Sequence, residues 1–173
     1  MVNKRRLVDV ILVRSLAVIC SRSVSADARD DAITARENAE AEASDTGLWF
    51  EDAIGAGQTA DSFQAYAWTS YIFWSGEHGT SATIEAALFN GDEEIDDGDD
   101  HMDEGETLFD AGDSHFGEGQ TAFDNEQFVA AKEDFDNAAI AYALASGKYE
   151  LAVDAFDDAV EWYDHALDLM APP

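Results

Sequence analysis

An all-α fold is expected for this chain: a long antiparallel helical hairpin, about 81–123 and 127–168, with one further helix at 48–74 covering its apolar seam. Three observations predict it. Steps of seven from Leu88 meet Ile95, Met102, Phe109, Phe116 and Phe123, and three residues after each of the first five stands a glycine: Gly91, Gly98, Gly105, Gly112 and Gly119. A second run, Phe128, Phe135, Tyr142, Tyr149, Phe156, Tyr163 and Met170, carries alanine at the same offset: Ala131, Ala138, Ala145, Ala152, Ala159 and Ala166. Both are heptads with a large residue at position a and a tiny one at d, a pattern of packed helices. The spacing breaks once, between Phe123 and Phe128, where "DNEQ" offers Asp124 or Asn125 as an N-cap with Gln127 in capping-box position. A turn there folds two matched arms onto each other, with rings of one arm expected in the glycine or alanine notches of the other. Each interior glycine costs about 1 kcal/mol relative to alanine, and each large side chain returns about 1.5–3 kcal/mol when buried, so these arms need a partner surface.

From its start the chain divides into three parts. Residues 1–26 combine a basic beginning (Lys4, Arg5, Arg6), an apolar segment from Leu7 to Cys20 and a small-residue pattern, Val24-Ser25-Ala26, and so read as an export signal, although Asp9 and Arg14 interrupt the apolar run. Cleavage after Ala26 would leave no cysteine, which excludes disulfides, thiol catalysis and cysteine-bound zinc from the mature chain. Residues 27–47 read as a peripheral alanine-faced helix, 28–43, and a linker; 48–173 read as the helical-bundle domain. The helix at 48–74 is expected to start after "SDTG" and to repeat Ala53, Ala60, Ala67 and Trp74 at seven, and "SGEHGT" at 75–80 reads as a loop. Nothing later is long and apolar enough to cross a bilayer.

The formal net charge is −29. Five of the nine basic residues lie in 1–26 beside a single acid, leaving four bases against 37 acids in the remainder. Such a surface repels nucleic acid and anionic lipid and attracts cations non-specifically or a basic partner. With 46% hydrophobic residues the chain still has material for a core, so the acidity does not mean disorder. Scarce lysine and abundant aspartate resemble the composition of haloarchaeal proteins, for which molar salt shortens the screening length to roughly 3 Å.

"YALASGKYELAVDAFDDAVEWY", Tyr142 to Tyr163, resembles part of a tetratricopeptide repeat, in its turn Gly147-Lys148-Tyr149 and the spacing of Ala152, Phe156 and Ala159; "FVAAKEDFDNA", Phe128 to Ala138, matches the same second-helix spacing. The two matches stand 21 residues apart rather than 34, and the family's terminal proline is missing. The resemblance implies a solenoid of helical hairpins that binds peptides, with a turn at Ser146-Gly147 dividing the second arm into two helices.

Candidate sites are few. His101 with Glu104 and His115 with Glu118 form two His-x-x-Glu pairs, each offering two metal ligands, about 21 Å apart along a helix and unable to share an ion. Placing Gly98 at the sixth position of a calcium loop puts Ile95 at the third, which excludes that reading of the aspartate-glycine tract. The aromatic run holding Phe63, Tyr66, Trp68, Tyr71 and Trp74 is apolar all round, which suits burial in the bundle or an interaction surface. No phosphate loop, nucleophile elbow or basic-aromatic patch occurs, so neither an enzyme nor a cofactor is expected. The sequence favours a non-catalytic, exported structural or interaction protein of a halophile, otherwise cytoplasmic, with a protein partner or self-association. A tetratricopeptide-like adaptor and an acidic divalent-cation binder are the alternatives.

Overall fold

A computed structural model describes residues 4–171, with side chains from Ala26 onward. Three helices follow one another: α1, Lys4–His78; α2, Ala82–Asp124; and α3, Phe128–Met170. Short turns at 79–81 and 125–127 reverse the chain, so α2 runs antiparallel to both neighbours and α1 and α3 run parallel. Helix α3 is central: it packs along α2 and along α1, whereas α1 meets α2 much less.

The α2–α3 hairpin matches its expected limits, and its packing follows from side-chain size. A methyl group placed on Gly91 would strike the ring of Tyr163, on Gly98 that of Phe156, on Gly105 that of Tyr149, on Gly112 that of Tyr142 and on Gly119 that of Phe135. Advancing seven residues on α2 retreats seven on α3, so every glycine meets a ring in one unbroken antiparallel register. All five rings and all five glycines are buried. The opposite half of the pattern is less complete: Leu88 and Ile95 are buried, but Met102, Phe109, Phe116 and Phe123 are only half-buried. Two of them lie tilted against the α3 rings, Phe109 on Tyr142 with centroids 5.1 Å apart and Phe116 on Phe135 at 5.3 Å.

The N-terminal half of the bundle corrects the sequence reading. No linker separates 27–47 from the domain, because α1 passes through "SDTG" without a break. Segment 28–43 is not peripheral: Ala32 and Ala35 pack in a cluster with Ala131 and Phe135, and Ala39 packs with Ala138 and Tyr142. The physical reason is a single stripe, Ala32, Ala39, Thr46, Ala53, Ala60 and Ala67, every member fully buried, which continues the heptad through the apparent cap. Thr46 takes the alanine place by satisfying its hydroxyl, which lies 2.6 Å from the Glu42 carbonyl, 3.0 Å from the Tyr142 carbonyl and 2.8 Å from the Ser146 hydroxyl. The expected export segment, 1–26, falls almost wholly outside the residues with described side chains.

Three local details also differ. The loop expected at 75–80 is shorter, since α1 continues to His78 and ends on Gly79, whose φ of 84° and N–H bond to the Ser75 carbonyl make a left-handed C-terminal cap. Gln127 takes the N-cap position of α3, but no side chain of "DNEQ" caps that helix. Asn125 instead closes α2, its side-chain amide donating to the Thr121 carbonyl at 2.9 Å. Helix α3 runs through Ser146 and Gly147 as one arm, without the turn that the tetratricopeptide resemblance implies. No helix among the described residues is long and apolar enough to cross a membrane.

Candidate functional site

The aromatic run of α1 lies where all three helices meet. Asp92 of α2 accepts hydrogen bonds at one carboxylate oxygen from the Gln64 amide (2.9 Å), the Trp68 indole (3.1 Å) and the Tyr163 hydroxyl (2.7 Å). One carboxylate thereby joins α1, α2 and α3, and burial together with this bond raises the Tyr163 phenol well above its ordinary range. Tyr71 is buried beside it. Its hydroxyl donates to Glu85 at 2.7 Å, which raises its pKa, and accepts the Ser81 N–H at 3.2 Å, fixing the start of α2 in place of a capping side chain.

Of the five aromatics expected to serve an interaction surface, Tyr71 is core, while Phe63, Trp68 and Trp74 are half-buried against that core. Tyr66 alone stands out, 64% exposed, and Phe73, one heptad further along the same stripe, is 74% exposed. Ile72 and Phe89 are also exposed at this end.

A groove follows the line where α1 and α2 diverge over α3. One section, about 370 Å³, is floored by Met102 and Phe156 and edged by Asp61, Asp99 and Asp103. Another, about 230 Å³, is formed by Phe50, Phe109 and Tyr149 with Glu106 and Asp110 on its rim. Partial burial, then repulsion from Asp61, Asp96, Asp103 and Asp100, raises the Asp99 pKa. Glu94 is raised by burial and then chiefly by Asp158 across the hairpin.

The two His-x-x-Glu pairs lie on the α2 edge facing α3. At the upper pair Lys148 of α3 forms an ion pair with Glu104, and that contact lowers the Glu104 pKa. At the lower pair α3 presents Asp134 instead, and ligand atoms of His115, Glu118 and Asp134 all fall within 4.8 Å of one another. Sequence reasoning found the two histidine pairs but missed Asp92, Asp113 and Asp134, since only the register shows which acids on α2 meet which residues on α3. A signal was available for two of them: Asp92 and Asp113 each follow a notch glycine, opposite Tyr163 and Tyr142, whose hydroxyls they accept at 2.7 Å. Comparison with known protein families, curated proteins and solved structures gave no match to this chain.

Proposed function

We propose that the chain is a non-catalytic helical scaffold, exported into a strongly saline medium, which docks protein partners or further copies of itself through apolar side chains set in an acidic surface. The observation that carries this reading is the exposure of Tyr66 and Phe73 on one stripe of α1, with Ile72 and Phe89 at the same end of the bundle. Large apolar residues gathered in this way mark interaction surfaces rather than ordinary solvent-facing positions. The charge supplies the environmental part. At low ionic strength, 37 acids against four bases after residue 26 keep copies apart, whereas molar salt removes that repulsion and strengthens apolar association.

Light scattering on the size-fractionated full chain tests this in low and in molar sodium chloride. Association that grows with salt, and that Tyr66→Ser with Phe73→Ser reduces without changing helicity, is the expected result. A chain that stays monomeric in molar salt at every concentration, or a double variant that associates like the parent, would contradict it. Export is tested separately by sequencing the N-terminus of chain recovered from culture medium, which is expected to begin at Asp27.

A further inference from the structure

The hairpin contains its own comparison between two nearly equivalent places. On α2, His101–Glu104 and His115–Glu118 are separated by two heptads; on α3, Lys148 and Asp134 are separated by the same two heptads in the opposite direction. Antiparallel register therefore brings Lys148 to the first pair and Asp134 to the second, as the Lys148–Glu104 ion pair and the His115, Glu118 and Asp134 cluster both show. In the first place an ammonium group neutralises the carboxylate. In the second, α3 adds another carboxylate.

No described lysine or arginine is paired with this second place: neither Glu118 nor Asp134 has such a partner, and Lys132 is committed to Asp136. The His115 ring is 41% exposed overall, yet its Nδ1 is shielded from water and has no hydrogen-bond partner. His101 Nδ1 shares that state, so the third residue is what separates the two places. The His115 Nδ1 to Glu118 Oε2 separation is 3.7 Å, too long for a hydrogen bond. Two donors each about 2.1 Å from one tetrahedral ion stand roughly 3.4 Å apart, so a small rotation of the exposed Glu118 side chain gives a ligand spacing.

We infer that His115, Glu118 and Asp134 form a divalent metal site that clamps α2 to α3 near the 125–127 turn, with water completing the coordination. One imidazole and two carboxylates suit an ion of intermediate softness, such as zinc or cobalt, over calcium or magnesium, which take oxygen alone. The clamp performs at this end of the hairpin what the Lys148–Glu104 pair performs further along.

Calorimetric titration of the metal-stripped full chain with zinc chloride, in molar sodium chloride to suppress diffuse binding to the acidic surface, reads the site directly. Saturable binding of one equivalent, little affected by excess magnesium, is expected, together with visible absorption of a cobalt complex that includes a nitrogen ligand. His115→Ala should weaken zinc binding by more than about tenfold. Asp134→Lys copies the residue at the equivalent place, so it is expected to keep the helicity of the parent while losing the site, and Glu104→Gln is expected to leave zinc affinity unchanged. Absence of saturable binding, or equal affinity in the parent and in Asp134→Lys, would overturn the inference.

Discussion

A glycine on α2 and a ring on α3 make one packing unit, and five such units in register define the hairpin. Phe156 shows how tight the unit is, since Gly57 of α1 lies against the other side of the ring that fills the place opposite Gly98. Three other helical glycines have no such duty: Gly55, Gly117 and Gly147 face open space. Replacing Gly117 or Gly147 by alanine is therefore expected to stabilise the protein by about 0.5–1 kcal/mol in thermal or denaturant unfolding, through helix propensity alone. Asp92 carries the opposite risk. Asp92→Ala leaves the Tyr163 hydroxyl, the Trp68 indole and the Gln64 amide without their shared acceptor, and a loss of about 2–4 kcal/mol is expected in urea unfolding. At this scale the notches were legible in the sequence, because the heptad names every glycine and every ring. The hydroxyl-to-carboxylate bonds were not, because they depend on a register between arms that spacing within one arm leaves open.

Helices were legible where heptads were long, and a local signal misplaced the start of the helix expected at 48–74. "SDTG" carries cap and turn residues, and Ser146-Gly147 sits in a stretch that resembles a tetratricopeptide turn, yet α1 and α3 pass through both. In each case a fully buried small residue, Thr46 or Ala145, holds the heptad through the weak stretch, so tertiary burial outweighs local preference. The turn after α2 went the other way, with Glu126 held at a φ of 58°, where a side chain is strained. Glu126→Gly is expected to raise stability by about 0.5–1 kcal/mol with the helices unchanged by circular dichroism.

Charge acts on the molecule as a whole. The raised pKa values of Asp99 and Glu94 mean that the folded state holds protons the unfolded chain has released, so their contribution to stability is full below the ordinary carboxylate range and is lost as pH rises through the folded values. Glu104 opposes them weakly, its lowered pKa contributing stability that disappears only as pH falls through the folded value. At low ionic strength the melting temperature is expected to rise as pH falls from neutral toward the ordinary carboxylate range, and Asp99→Asn is expected to raise it at neutral pH; molar salt should remove the part of each effect that comes from repulsion and leave the part that comes from burial. A melting temperature independent of salt at neutral pH would sever the link between acidity and a saline medium. Acidity was plain from composition, but the groove that concentrates it was hidden, because it arises from how α1 and α2 diverge over α3.

The packing itself is tested most directly by introducing Gly98→Ala into the parent protein and, separately, into a Phe156→Ala background, with the unfolding free energy measured in both. In the parent, the added methyl meets the Phe156 ring at 2.5 Å and a loss of about 1–3 kcal/mol is expected; once the ring is removed, the same substitution is expected to be neutral or to stabilise by up to about 1 kcal/mol. An equal effect of Gly98→Ala in the two backgrounds would contradict the nesting of α3 rings against α2 glycines.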